Sequence, residues 1–314
     1  MQFGLQINPY YPGKTGNPWD SVERVSKLAD KSRLDSVWVY DHFLYEGGYP
    51  GHPISEPAME CFTMLGAIAA ATTRVRMGQL VIGIPYRNPA MTAKMAVTLD
   101  HISRGRSILG IGAGWHQREY EAYGWGEFEP LGVRMKRLEE AVRAMIALWT
   151  ENPTSFKGDF YSLDNVRENP MAIQKPHPPI MIGGSGERVT MRLVAQYAQM
   201  CNVQGEPESV QRLFGTIKEN CERIGRPYEQ ITRTMYSSIF IGRNEAEVAK
   251  KREALADYIP RRGSMIGTPA QIIDMIGAYA KIGAQYLVFR MPDWIDEDPV
   301  QLFSEEVIPA LENV

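Results

Sequence analysis

The sequence has 314 residues, with 34 basic and 37 acidic side chains and a formal net charge of −3. Apolar residues make up 44% and charged residues 23%, close to the average of globular proteins, which excludes a disordered or collagen-like chain. The charge balance removes the electrostatic basis for non-specific nucleic-acid binding, and the length fits two domains or one large α/β barrel.

Cysteine usage and the lack of long apolar segments indicate the cellular setting. Cys61, Cys201 and Cys221 form no C-x-x-C pair, which is typical of a reducing compartment. The five histidines show no zinc-ligand spacing, so no metal site is predicted. The N-terminus lacks signal-peptide features, and the longest apolar stretch, residues 64–71, is far below the roughly 20 residues that span a bilayer. We therefore expect a soluble, cytoplasmic protein that binds no membrane.

Short apolar runs that favour β-structure alternate with longer segments of helical period along the whole chain. Because these runs are nearly continuous in apolar residues, they predict parallel strands covered by helices. The predicted strands cover residues 3–7, 36–40, 75–82, 107–112, 180–182, 200–203, 235–241 and 286–289. The predicted helices lie near residues 19–32, 61–71, 88–103, 133–149, 188–197, 208–224, 269–282 and 300–311.

Capping residues support several of these boundaries. Pro18 precedes the first helix, Thr268 and Pro269 form an N-cap and N1 proline, and Gly283 ends a helix before the last strand. Eight strands, each followed by a helical segment, predict an α/β fold, a (β/α)8 TIM barrel. The rival interpretation is a doubly wound open sheet.

Two insertions interrupt the alternation. Residues 153–176 have the turn-rich, aromatic composition of a hairpin, and residues 244–258 read as an extra charged helix that ends in the turn Arg261-Arg262-Gly263. A barrel with insertions near 153–176 and 244–263 accounts for the length. We therefore expect residues 1–314 to form a single domain.

In a parallel barrel, the chemistry lies where strands end and loops begin. Asp41 and His42 follow the second predicted strand. An imidazole beside a carboxylate at the barrel mouth is suited to donate or accept a proton. In the alternative interpretation, Asp41 caps the following turn and His42 is only packed there.

Glycine-rich turns follow the fourth and fifth strands. The first reads Gly-Ile-Gly-Ala-Gly over residues 110–114, and the second reads Gly-Gly-Ser-Gly over 183–186, directly before a helix. Glycines let a ligand approach the backbone, and a helix N-terminus presents unpaired N–H groups to an anion. The first turn is not a dinucleotide fingerprint, because Trp115 stands where the third glycine would. Either could be only a tight turn, but two on adjacent strands predict a phosphate-bearing ligand.

Arg290 directly follows the last predicted strand. A guanidinium at a strand end faces the barrel mouth, where it could hold an anionic group of a substrate. It could equally anchor the C-terminal segment through Asp293 or Asp296.

In this order along the chain, the junctions resemble the bacterial luciferase-like family of flavin and deazaflavin oxidoreductases. The similarity covers essentially the whole chain, and the family implies a (β/α)8 barrel with a flavin-type ring at the C-terminal mouth. It is carried by Phe3-Gly-Leu, Trp38-Val-Tyr-Asp41-His42, Asn88-Pro89, Ser103-Arg-Gly-Arg-Ser-Ile-Leu-Gly-Ile-Gly-Ala-Gly-Trp115, Lys175-Pro-His-Pro-Pro-Ile-Met-Ile-Gly-Gly184 and Gly267-Thr-Pro269.

The Asp-His pair and both glycine turns most resemble the branch that uses the deazaflavin coenzyme F420. The resemblance implies catalytic roles for His42, as a proton relay, and for Asp41, as a contact of the ring or substrate. It also implies a non-prolyl cis peptide behind the ring, for which the matching pair is Leu80-Val81. The implied contacts of the ribityl chain or ring are Ala113, Gly114 and Trp115, and those of the phosphate are Gly183, Gly184, Ser185 and Gly186.

One departure from the family concerns the substrate. The deazaflavin glucose-6-phosphate dehydrogenases place a glutamate after their glycine turn, where this chain has Trp115. This disfavours a sugar phosphate and favours a more hydrophobic or aromatic substrate that contacts Trp115. His116 and Glu119 are nearby but are not assigned to the site.

The resemblance implies hydride transfer between F420 and a small organic substrate, in a direction that the sequence leaves open. The alternative is an FMN-dependent monooxygenase that uses reduced flavin and dioxygen. A cofactor-free isomerase or aldolase would need a catalytic Lys or Glu at a strand end, and the sequence offers no convincing one. The family also commonly pairs barrels through early helices, so a homodimer is expected, and the apolar residues 59–71 permit it.

Overall fold

Eight parallel strands close into a barrel in the computed structural model, which describes residues 1–7, 15–44, 58–254, 256 and 263–312. Each strand hydrogen-bonds to the next, and the eighth pairs with the first, with Gly4 opposite Val288. Closure confirms the predicted (β/α)8 barrel and rules out the open sheet. The barrel strands are Gln2–Gln6, Ser36–Val39, Arg76–Gln79, Ser107–Gly112, Ile180–Gly183, Met200–Val203, Thr232–Ile241 and Tyr286–Arg290.

Helices follow the strands and cover the outside of the barrel. The first buries Val22, Val25 and Ala29, which lie three and four residues apart on one face. The helices after the first seven strands are Pro18–Lys31, Cys61–Ala71, Pro89–Ser103, Leu131–Thr150, Thr190–Tyr197, Pro207–Ile224 and Pro269–Lys281, and the eighth strand is followed by Asp298–Leu302, the π turn Phe303–Val307 and Ile308–Leu311.

Thr268 and Pro269 are the predicted N-cap and N1 residues, and Thr268 forms a capping box with Gln271. Pro18, which the sequence placed just ahead of the first helix, is its first residue, and Asn17 is the N-cap. Gly283 has φ +93°, a conformation that L side chains rarely adopt, where the chain leaves the Pro269–Lys281 helix. The last helix departs from a regular one, because a proline inside a helix cannot donate to the carbonyl four residues earlier. The π turn Phe303–Val307 lies just before Pro309.

The structure differs from the prediction around several strands. The third predicted strand, residues 75–82, is interrupted after Gln79 and resumes as Ile82–Gly83, which pairs with the end of the fourth strand. An unpredicted strand, Ser264–Gly267, pairs in parallel with the end of the seventh. An unpredicted helix, Gln117–Ala122, follows the fourth strand, and short 3₁₀ turns cover Ile84–Tyr86, Tyr228–Gln230 and Trp294–Asp296.

The two insertions have the predicted kinds of structure. Thr154–Lys157 and Ser162–Val166 pair as an antiparallel hairpin, and Glu245–Ala254 is a helix. Arg261 and Arg262, which the sequence placed in a turn after that helix, lie outside the described residues. Among the residues that the structure describes, no helix is both long and apolar enough to cross a membrane.

The amino-terminal half of the barrel interior is filled by side chains. Trp38 and Tyr286 meet edge to face with ring centroids 6.4 Å apart, and both donate to Ser36 Oγ at 2.5 Å. The Trp38 indole needs glycine beneath it, because a Cβ on Gly4 would lie 2.4 Å from its ring nitrogen. With Ile108, Met181, Met200 and Val288, these two rings form a buried cluster, which we call the barrel floor.

Candidate active site

A cavity of about 1540 Å³ opens at the carboxyl ends of the barrel strands. This exceeds the roughly 300–1,000 Å³ of a typical small-molecule pocket, so there is room for a cofactor and a second molecule together. Every residue that the sequence assigned to catalysis, cofactor or substrate lines this cavity: Asp41, His42, Leu80, Val81, Ala113, Gly114, Trp115, Gly183, Gly184, Ser185, Gly186 and Arg290.

Asp41 is almost fully buried just past the end of the second strand. Arg87 clamps it with two hydrogen bonds, 2.6 Å to Oδ2 and 2.8 Å to Oδ1, and also donates to Glu60 Oε1 at 2.7 Å. Burial raises the pKa of the Asp41 carboxyl, and the Arg87 guanidinium opposes that shift. Because both carboxylate oxygens are engaged, His42 is the member of the pair better placed to carry a proton.

His42 is held by a buried carboxylate. The two Glu119 oxygens lie 3.2 and 3.1 Å from His42 Nδ1, and the Glu119 side chain has no solvent exposure. Glu119 Oε2 also accepts from the Tyr86 hydroxyl at 2.8 Å. Burial alone would raise the pKa of Glu119, but the hydrogen bonds, led by that of His42, outweigh it and lower the pKa. The carboxylate is therefore the form that this site stabilises.

Trp115 stands beside His42 at the cavity mouth. Its side chain is 70% exposed, although it stacks on His116 with ring centroids 4.8 Å apart and meets the His42 ring edge-on at 5.3 Å. Arg134 fastens the turn beneath it by donating to the carbonyl oxygens of Gly114 and Ala113. A fixed turn thus presents a large exposed indole to whatever enters the cavity.

The glycine turn after the fifth strand forms an exposed rim of the cavity. Gly184 has φ +135°, and its N–H donates to the Asn202 carbonyl oxygen at 3.0 Å. A Cβ on Gly186 would lie 2.8 Å from Thr190 Oγ1, so this turn packs closely on the start of its helix. Lys136 and Arg188 also line the cavity, together with the acidic Glu139 and Glu187.

The peptide bond between Leu80 and Val81 is cis, as the resemblance implied. Val81 lies against two glycines of neighbouring strands: a Cβ on Gly112 would be 2.9 Å from Val81 Cγ2, and one on Gly183 would be 3.0 Å from Val81 Cγ1. The glycines therefore let Val81 form the back wall of the cavity between the fourth and fifth strands.

Arg290 lines the cavity at the end of the eighth strand and donates from Nε to Ser238 Oγ at 2.8 Å. Asp293, one of the two carboxylates that the sequence offered as an anchor, lies 2.6 Å from Lys251 Nζ. The position of Arg290 in the cavity lining favours the cavity-facing interpretation.

Sequence reasoning left Arg87, Tyr86 and Glu119 out of the site. Arg87 and Tyr86 follow the third barrel strand, so the rule that led to Asp41 and His42 could have found them. Glu119 lies in the unpredicted helix Gln117–Ala122, and nothing in the spacing predicts that it contacts His42. Within the described part of the chain, no group of three or more His, Cys, Asp or Glu side chains could hold a metal ion.

The arrangement of strands and turns has counterparts among known proteins. Residues 1–265 match the profile of the family described as luciferase-like monooxygenase. The chain belongs to this luciferase-like family. Among curated luciferase-like relatives, an F420-dependent glucose-6-phosphate dehydrogenase of Amycolatopsis mediterranei (strain U-32) is 29% identical, with 94% of this chain and 95% of that protein covered.

An FMNH(2)-dependent dimethylsulfone monooxygenase of Pseudomonas putida is 30% identical, with 94% of this chain and 88% of that protein covered. Among solved structures, the coenzyme F420-dependent tetrahydromethanopterin reductase of Methanopyrus kandleri superposes with a TM-score of 0.79 at 18% identity, covering 98% of each chain. The sequence relatives thus include users of both cofactors, and the structural likeness supports the luciferase-like barrel fold.

Proposed function

We propose that this chain is an oxidoreductase that transfers a hydride between the deazaflavin coenzyme F420 and a small organic substrate. The observation that carries the proposal is the position of His42, held at Nδ1 by Glu119, in the same cavity as both glycine turns. The F420-dependent relatives, matched over most of this chain, support the choice of cofactor.

Two observations support the fit of a flavin-type group in the cavity. Gly112 and Gly183 lie so close to Val81 that a side chain at either glycine position would fill the space behind the proposed position of the cofactor ring. Asn202 lines the cavity, and its buried Oδ1 has no hydrogen-bond partner among the described residues. A buried carbonyl oxygen without a donor is costly, and a ring N–H of the cofactor would satisfy it.

We assign the phosphate to Gly183, Gly184, Ser185 and Gly186, and the ribityl chain or ring to Ala113, Gly114 and Trp115. Asp41, Leu80 and Val81, which follow the second and third strands, would contact the ring. When bound, F420 supplies the carbon that donates or accepts the hydride.

His42 would hold the proton that accompanies the hydride. With its Nδ1 on Glu119, its other nitrogen, Nε2, is left to exchange a proton with a substrate hydroxyl or carbonyl. Arg290 would contact the substrate from the eighth strand, and the barrel floor keeps bulk water out from below.

The same geometry bears on the substrate class. Trp115 presents an exposed indole to the cavity, and aromatic side chains bind apolar, planar molecules well. We therefore propose an apolar or aromatic alcohol or carbonyl compound as substrate rather than a sugar phosphate.

Equilibrium dialysis with F420 and with FMN tests the cofactor. We expect micromolar binding of F420, weakened about 10-fold or more by Ser185→Asp, because a carboxylate in the glycine turn repels the phosphate. Ser162→Asp, on the exposed hairpin outside the cavity, is the matched control and should bind F420 as the wild type does. Micromolar FMN binding without F420 binding would falsify the proposal.

The second candidate is an FMN-dependent monooxygenase, favoured by the dimethylsulfone monooxygenase relative at 30% identity. Under this interpretation, reduced FMN bound to the protein should be consumed with dioxygen and should oxygenate a substrate. Oxygen uptake with reduced FMN, compared with uptake by free reduced FMN, separates the two candidates.

We further propose that residues 1–314 act as one domain, in the cytoplasm, and that two copies form a homodimer. The dimer proposal is supported by the Cys61–Ala71 helix, whose side chains are mostly small or apolar. Sedimentation at micromolar concentration tests it, with a single species of 35.4 kDa as the contrary result.

A further inference from the structure

We propose that Glu119 is a positioning residue that fixes the neutral His42 ring in the tautomer protonated at Nδ1 and so turns Nε2 toward the cavity as the proton-exchanging nitrogen. The tautomer itself is a property of the protein without ligand. Only its use in hydride transfer rests on the proposed function.

Apart from the contact with His42 Nδ1, every hydrogen bond described for the Glu119 side chain is accepted by it. Beyond His42 Nδ1 and the Tyr86 hydroxyl, the backbone N–H groups of Phe43 and Leu44 donate to Glu119 Oε1 at 2.5 and 2.7 Å. Backbone N–H groups and a phenol donating in this way match an ionised carboxylate, which has acceptor sites only. If Glu119 were protonated, one of its oxygens would carry a hydrogen and act as a donor, although the groups around it are donors themselves.

An ionised, fully buried Glu119 leaves one possibility for the nitrogen facing it. A carboxylate cannot donate, so His42 Nδ1 must carry a hydrogen, and in a neutral imidazole Nε2 is then the unprotonated nitrogen. Tyr40 and Trp115 meet the same ring edge-on, at centroid distances of 5.2 and 5.3 Å. The ring orientation is thus set by packing and its tautomer by Glu119.

The lowered pKa of Glu119 agrees with this geometry. The same carboxylate also fastens the backbone of residues 43–44, so a purely structural role would predict loss of stability alone. A positioning role predicts in addition a change in the protonation pattern of one histidine ring, which can be measured without cofactor or substrate.

The test is a nitrogen-15 NMR spectrum of ligand-free protein labelled at histidine, recorded at a pH where the ring is neutral. The His42 signals are assigned by their loss in His42→Asn. We expect Nδ1 protonated and Nε2 unprotonated in the wild type. In Glu119→Gln, which has nearly the same shape, the amide can accept or donate, so the Nε2-protonated form should become populated.

Tyr86→Phe is the matched control. It removes one donor to the same carboxylate but leaves the Glu119–His42 contact, so the tautomer should stay as in the wild type. An Nε2-protonated ring in the wild type overturns the inference, and this measurement stands even if Glu119→Gln fails to fold. An unchanged ring in a folded Glu119→Gln protein overturns it as well.

With F420 bound, Glu119→Gln should lower kcat about 10-fold or more while changing the Kd of F420 less than about 3-fold, because a positioned proton-transfer group contributes about 10²–10⁴-fold. If the tautomer is as expected but F420 does not bind, the proposed function fails and this inference stands. If F420 turnover occurs and Glu119→Gln leaves both the tautomer and kcat unchanged, the inference fails and the function stands.

Discussion

Arg87 and Asp41 form a bidentate ion pair at the cavity wall, with both nitrogens of the guanidinium fork within 2.8 Å of a carboxylate oxygen. The Asp41 side chain is 1% exposed and that of Arg87 13%, so neither charge is well solvated. Removing one partner of such a pair leaves a buried charge without compensation.

Arg87→Met should therefore lower the free energy of unfolding by about 3–5 kcal/mol. The double variant Asp41→Asn/Arg87→Met should be more stable than Arg87→Met alone, because the buried Asp41 charge is then removed and the remaining partner, Glu60, is partly exposed. Urea unfolding measures both. Lys27→Met, which breaks an exposed pair with Glu23, is the control and should cost less than about 1 kcal/mol. Equal losses for Arg87→Met and the control would contradict the interpretation.

Glu119 makes stability depend on pH. Its pKa is lowered in the folded protein from an ordinary value of 4.5, so folding favours the ionised form. The stabilisation is complete above that ordinary value and is lost as the pH falls through the lower folded value. The stability difference between wild type and Glu119→Gln should therefore shrink as the pH falls below about 4.5. A difference that is constant from pH 7 to pH 3 would show that folding does not lower the pKa of Glu119.

Gly112→Ala should both destabilise the protein and weaken cofactor binding. The new methyl group would lie 2.9 Å from Val81 Cγ2, and overpacking of this kind costs about 1–3 kcal/mol. Val81→Ala in the same chain should restore part of the stability, because it removes the methyl groups that collide. Gly215→Ala is the control: nothing lies within 4 Å of its Cβ, and in a helix the change should stabilise by roughly 0.5–1 kcal/mol.

Trp115→Ala should affect the substrate rather than the fold. With 70% of the side chain exposed, the change in unfolding free energy should stay within about 0.5 kcal/mol. If the indole contacts the substrate, kcat/KM for F420 reduction by benzyl alcohol should fall about 10-fold, and that for 2-propanol much less. Trp115→Phe should keep most of the activity. Turnover of glucose 6-phosphate that exceeds both alcohols would contradict the proposed substrate class.

The barrel could be predicted because the pattern of a short apolar run followed by a helical segment occurs eight times along the chain. The fourth and sixth strands, Ser107–Gly112 and Met200–Val203, were predicted to the residue, because each is a short, mostly apolar run between two longer segments of helical period. The break at Leu80-Val81 within the third strand carries no such signal in the apolar pattern, and only the family resemblance pointed to it. Ser264–Gly267 was missed because it contains only two strongly apolar residues.

Site residues that directly follow a barrel strand could be predicted from the sequence. Site residues that come from other elements could not. Asp41, His42 and the glycine turns follow barrel strands directly. Glu119 reaches His42 across 77 positions of the sequence, and Lys136 lies on a helix whose pattern indicates only its buried face. Contacts of this kind depend on how a loop returns to the barrel, which periodicity does not encode.

The barrel floor also affects the order in which two molecules can bind in the cavity and leave it. Trp38 and Tyr286 are fully or almost fully buried and tied to one hydroxyl, so the route beneath the cavity is closed by packed side chains. Where the outer of two molecules in the cavity covers the inner one, the inner molecule has no route out through the packed barrel floor. We therefore expect ordered kinetics, in which the molecule held against Val81 binds first and leaves last.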